Sequence, residues 1–165
     1  MKSKKILIPM ALLFGTVMVG CANKEQAPVE QTLNIKEDLV MSDVAIQLKE
    51  SGLFTQASIE STPQESYIFE SVKDVIEDGF VSQAMINVKL QDVMLIKTSD
   101  VDAVEKAILD YKENSLRSFG DGYGGEDNVT AVAESKLVKK DGYVYFIATP
   151  NSSEIESKLL ELIQK

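Results

Sequence analysis

Apolar and polar residues alternate along this chain in three distinct rhythms, and each predicts a different kind of element. Val40, Val44 and Leu48 recur every four residues, with Met41 and Ala45 beside them, so one stripe of a helix is predicted from about Ile35 to Glu50. Asn34 with Glu37 three residues on fits an N-cap and its capping-box partner, and Gly52 stops the helix. The stretch from Leu53 to Ile59 is ambiguous between a loop and a short extended piece. Thr62-Pro63-Gln64-Glu65 opens a second, short helix carrying Tyr67, Ile68 and Val72, and Asp78-Gly79 ends it. Phe80 to Lys89 shows imperfect period-2 alternation and Val93 to Lys97 is a short apolar run, so the two read as a hairpin turning at Leu90-Gln91-Asp92.

From Ser99 the period returns to that of a helix. Val101, Val104, Ile108 and Tyr111 share one face, with Leu116 farther on. Phe119 to Glu126 reads as a loop, and Asp127 to Ser135 as a short helix. Leu137 to Lys139 and Tyr143 to Ala148 are strands around Lys140-Asp141-Gly142, because Asp-Gly between two apolar runs is a strong hairpin signal. Asn151 or Ser152 caps a final helix whose Ile155, Leu159 and Leu162 face inward. The predicted fold class is α+β: a four-stranded antiparallel sheet of two hairpins, each followed by a helix, with helices packed on one face and one or two helices ahead of it.

The third rhythm is no rhythm at all. Ile6 to Val19 is a continuous apolar run, preceded by Lys2, Lys4 and Lys5 and followed by Gly20 and Cys21. Basic start, apolar run and small residue are the layout of a secretory signal. The run is 14 residues long, and a membrane span needs about 20. Met18-Val19-Gly20-Cys21 resembles the lipobox of bacterial lipoproteins, where cleavage precedes the cysteine and its thiol carries diacylglycerol. Cys21 is the chain's only cysteine, so it has no intramolecular disulfide partner and another use is expected. Two acyl chains suffice for stable attachment where one does not.

The domain organisation expected is therefore a signal peptide at 1–20, a lipidated cysteine and tether at 21–34, and a single α+β domain at 35–165. The expected location is the outer face of the bacterial cytoplasmic membrane. The tether, poor in large apolar residues, has a contour of at most about 3.5 Å per residue.

Composition narrows the chemistry. The net charge is −9, and loss of the leader's three lysines takes it to −12. Such a surface repels phosphate backbones and anionic headgroups, so no nucleic-acid partner is expected and the lipid alone must hold the membrane. The absence of histidine removes Ser-His-Asp and Cys-His catalysis and the usual zinc ligands. No catalytic residue, metal or cofactor is assigned.

The patterns at Ala84 to Lys97, at the helix opened by Ser99-Asp100, and at Val138-Lys139-Lys140-Asp141-Gly142-Tyr143-Val144 resemble an uncharacterised lipoprotein family of Gram-positive bacteria, the domain of unknown function 4358. The likeness runs from roughly Val40 to the end. It implies a surface lipoprotein and carries no activity or catalytic residues with it.

Two further features invite chemistry. Gly120-Asp121-Gly122-Tyr123-Gly124-Gly125 is glycine-rich, but it lacks the Gly-Lys-Ser/Thr ending of a P-loop, follows a helix rather than a strand, and has Asp121, Glu126 and Asp127 beside it to repel phosphate. Those acids lack the order of a calcium loop. Tyr123, an aromatic flanked by glycines, is the tentative partner contact there, with Asp121. Glu60, Glu65, Glu70, Asp74, Glu77 and Asp78 form an acidic stretch that reads as a solvated face. The sequence thus favours a non-enzymatic, lipid-anchored binding or accessory domain, a monomer meeting an envelope protein or small ligand. The glycine loop, or the sheet face opposite the helices, would meet the partner. The alternatives are a carboxylate-dependent cell-envelope hydrolase, for which tryptophan to stack sugars is missing, and a solute-capture component of a transporter, which would need a second lobe.

Overall fold

The computed structural model describes residues 34–165. The leader, Cys21 and nearly all of the tether lie outside the described residues. In chain order the elements are α1 (Met41–Glu50), β1 (Ser58–Ser61), three short 3-10 turns (Pro63–Glu65, Tyr67–Phe69 and Lys73–Val75), β2 (Ile76–Ala84), β3 (Asp92–Thr98), α2 (Val101–Asn114), α3 (Arg117–Gly120), α4 (Glu126–Ala133), β4 (Lys136–Lys140), β5 (Tyr143–Ala148) and α5 (Ser152–Ile163). No helix among the described residues is long and apolar enough to cross a membrane.

The α+β class and the antiparallel sheet hold, but the sheet has five strands, not four, in the order β1-β2-β3-β5-β4. The added strand is β1, from the stretch left ambiguous; Ile59 pairs with Gln83 and Ser61 with Val81. Two hairpins meet at the centre, where β3 pairs with β5 and Met94 lies opposite Phe146.

Helices cover both faces, not one. Met94 and Ile96 of β3, with Val144 and Phe146 of β5, bury against Val104, Ile108 and Tyr111 of α2. Val93 and Leu95, with Tyr145 and Ile147, bury against Met41, Val44 and Leu48 of α1 and Ile155, Leu159 and Ile163 of α5. A strand buried on both faces needs apolar side chains at every position. That is why Val93 to Ile96 and Val144 to Ile147 are unbroken apolar runs. The open sheet face proposed above as a partner surface is therefore covered.

Several local expectations shift. The first helix starts at Met41, with Val40 as its uncapped N-terminal residue. The Asn34 and Glu37 capping box does not form. Ile35 instead makes an antiparallel bridge with Gln164. The Lys165 backbone N–H donates to Asn34 O at 2.8 Å, and Lys165 Nζ to Glu37 at 2.7 Å. The capping box at Thr62 and Glu65 is present, but it opens a 3-10 turn rather than an α-helix. Asp78-Gly79 lies within β2, just past an irregularity between Ile76 and Asp78. The longest helix is capped by Asp100, whose carboxylate accepts from Ala103 N–H at 3.0 Å. The hairpin at Asp141-Gly142 forms as expected, with φ of 51° and 83°, the left-handed pair a two-residue turn requires.

Candidate functional site

Two recesses flank the β1 edge of the sheet. The larger, about 670 Å³, lies between α1 and the start of β2. Val40, Met41, Ala45, Ile46 and Phe80 give it an apolar floor, and Glu50, Glu60, Glu65 and Asp78 an acidic rim. Three of these acids already serve the fold. Glu60 accepts from Lys49 Nζ at 3.0 Å and from Ser58 Oγ at 2.8 Å. Glu65 caps Thr62, and Asp78 accepts from Gly79 N–H at 2.7 Å.

The second recess, about 290 Å³, lies on the α2 face, and its floor is unusual. Asp92 begins β3 with its side chain on the same face as Met94 and Ile96, and only 3% of the residue is exposed. Tyr111 Oη donates to Asp92 Oδ2 at 2.5 Å. Gln83 Nε2 donates to Tyr111 Oη at 3.1 Å and reaches Asp92 Oδ1 at 3.4 Å. Among the described residues no lysine or arginine pairs with Asp92 within 4.0 Å. Burial raises the Asp92 carboxyl from 3.8 to about 6, against the pull of its bonds to Tyr111 and Gln83. Burial and the adjacent Asp92 charge push Tyr111 upward as well, so its proton stays on the phenol.

Aromatic rings form the walls. Tyr67, 68% exposed, meets Tyr111 edge-on with centroids 6.1 Å apart. Phe119 of α3 lines the same recess and packs against Tyr123, with ring centroids 5.6 Å apart. The rim is pinned from beneath. Buried Asn128 of α4 accepts from Leu90 N–H at 2.9 Å and donates to Val88 O and Tyr123 O at 3.0 and 2.7 Å. Buried Gln91 accepts from the backbone N–H groups of Thr55 and Gln56 at 2.8 and 3.0 Å. Gly124 has φ of 78°, and a Cβ there would overlap Asn128 and Val88 O, so only glycine allows this closure.

Cys21 lies outside the described residues. Tyr123 is half exposed, and the glycine turn that carries it is hydrogen-bonded in place by Asn128. Asp121 is exposed and lies 3.7 Å from Arg117, away from the cleft lining. The structure thus brings Tyr123 to the cleft's edge through Phe119 but not Asp121. Sequence reasoning missed Asp92, Tyr111, Gln83 and Tyr67. From sequence alone Asp92 reads as part of a turn and Tyr111 as part of an apolar stripe. One signal was available: Asp92 precedes Met94 and Ile96 at period 2, so it must share their buried face.

The floor of this cleft and most of its walls fall within residues 64–149, which match the model of a family described as Domain of unknown function (DUF4358). The match spans just over half of the chain. The chain belongs to the DUF4358 family. No curated protein and no solved structure matches it. Most of the larger groove's lining precedes this DUF4358 segment, whereas all of the Asp92 cleft's lining but Ile59 and Ser61 lies within it.

Tyr123→Ala is expected to cost about 1 kcal/mol, the worth of one aromatic pair at a half-exposed site. A urea denaturation loss above about 2.5 kcal/mol would show that the ring closes the core instead.

Proposed function

We propose that this protein is a lipid-anchored, extracytoplasmic binding domain, not an enzyme, and that the Asp92 cleft is its ligand surface. One observation carries the reading. Among the large apolar residues exposed in the described chain, Ile59 and Tyr67 line this cleft. Met85, Ile86 and Val88 stand on the loop that supplies its rim, and Tyr123 packs on its wall. A gathered exposed apolar patch marks an interaction site, where scattered apolar residues do not. Glycosidase chemistry wants two carboxylates about 5–9.5 Å apart; the cleft lining holds one, Asp92.

The reading has two tests. A photo-crosslinking residue at Tyr67 should capture a discrete partner or ligand in growing cells, read as a defined mass increment, and the same residue at Glu154 on α5 should not. Equal capture at both positions removes the cleft from consideration. For the anchor, the layout of residues 2–21 predicts that a fatty-acid analogue labels the wild type and not Cys21→Ala; equal labelling would refute lipidation.

A further inference from the structure

We propose that the cleft binds an organic cation, an alkylammonium or guanidinium group seated against Asp92 Oδ1 between the rings of Tyr67, Tyr111 and Phe119. This rests on the reading of the cleft as a ligand surface and names the ligand's chemistry.

Four observations converge. First, Asp92 is buried, yet among the described residues its hydrogen-bond donors are both neutral, Tyr111 Oη and Gln83 Nε2. Buried carboxylates are ordinarily paired with a cation, and the charge of this one is not matched by either donor. Second, the unmatched charge has a direction. Oδ2 is engaged at 2.5 Å, whereas Oδ1 has only the 3.4 Å approach of Gln83, which leaves lone pairs to accept a stronger donor. Third, the walls suit a cation. Tyr67, Tyr111 and Phe119 line the same recess, and aromatic faces attract ammonium and guanidinium groups. Fourth, Lys89, the one cationic residue in the lining, lies 3.6 Å from Asp127 on α4, so its charge is answered outside the floor. A recess of about 290 Å³ takes a chain of a few carbons with its charged head, and the net charge of −9 draws such a ligand toward the surface.

The polar and titratable side chains that share the recess with Asp92 include Tyr111 from α2, Tyr67 from its 3-10 turn, neutral Gln83 from β2 and Lys89 from the rim. Tyr111, held upward by burial and the Asp92 charge, keeps its proton across pH 5–7.5, as does an alkylamine. Asp92 changes charge over that range, so affinity for the cation should fall as it protonates.

The experiment uses the full chain in a non-ionic detergent, titrated calorimetrically with pentylamine, its neutral isostere pentanol, and a capped tripeptide carrying one lysine. Pentylamine or the lysine peptide should bind at least tenfold more tightly than pentanol, and the tighter of the two tells whether the group arrives on a small molecule or on a polypeptide. Asp92→Asn should abolish that preference while retaining the wild-type circular dichroism spectrum. Affinity for the cation should fall about tenfold between pH 7.5 and pH 5. Failure of both pentylamine and the lysine peptide to bind more tightly than pentanol, or equal binding of the tighter cation by wild type and Asp92→Asn, overturns the inference. If the cations fail while Tyr67 still crosslinks a partner, the cation assignment falls alone; if the crosslink also fails, the binding cleft falls with it.

Discussion

Val104→Asp is expected to leave the domain unfolded at room temperature. Val104 is fully buried on α2, in the same cluster as Met94, Ile96, Val144 and Phe146. A carboxylate there would be placed inside this apolar cluster. An unpaired buried charge costs several kcal/mol, and small domains have a total stability of about 5–15 kcal/mol. Loss of the valine's buried apolar surface adds roughly 1.5–3 kcal/mol more. A thermal melt followed by circular dichroism should lack a cooperative transition. A melting temperature within about 3 °C of wild type would mean that α2 does not seat this face on the sheet.

Asp92→Asn is expected to act in the opposite sense and to stabilise the protein at pH 7.5. The folded carboxyl sits at about 6 against an ordinary 3.8, and that difference corresponds to about 3 kcal/mol of destabilisation when both states are ionised. Above pH 6 the folded protein bears the whole penalty. Between pH 6 and about 3.8 the folded state holds a proton that the unfolded chain has released, so this group's contribution grows more favourable as pH falls. An asparagine carries no charge to desolvate and can still accept from Tyr111. The variant should therefore exceed wild type by about 1–3 kcal/mol at pH 7.5, and the difference should shrink toward zero near pH 4. Urea denaturation of both proteins at pH 4, 5, 6 and 7.5 measures this, and the comparison cancels the remaining carboxylates. A difference that does not change with pH would show that Asp92 is not the buried acid described here. A charge that weakens the fold and is nonetheless present is what a binding site trades for function.

The sequence made some of this legible and hid the rest for identifiable reasons. The strand at Tyr143 to Ala148 and the stripe of Val104, Ile108 and Tyr111 were readable because burial imposes period on them. Asp141-Gly142 was readable because few residues tolerate that backbone. The covering of both sheet faces was written in the unbroken runs at Val93 and Val144, yet counting helices after hairpins put them all on one side. The fifth strand was hidden because Ser58–Ser61 is a polar edge whose identity comes from pairing with β2, not from its own composition. The cleft was less legible still. Tyr67, Gln83, Asp92 and Tyr111 come from four separate elements, and nothing in their spacing announces that they meet. Tyr123 stood out by its glycine neighbours, but its place beside Phe119 depends on Asn128 reaching back to the β2–β3 loop.

The bridge between Ile35 and Gln164 gives the domain a single doorway for both ends of its chain. Whatever is appended after Lys165 stands beside the residues that lead back toward Cys21, while the lining of the Asp92 cleft includes neither end. Under the proposed anchoring at Cys21, a bulky C-terminal fusion would crowd the anchored end of the domain rather than the cleft. A reporter placed there would sense that end, not the proposed ligand surface. Handles meant to report on the cleft belong on the loop between β2 and β3, where Ile86 already stands in solvent.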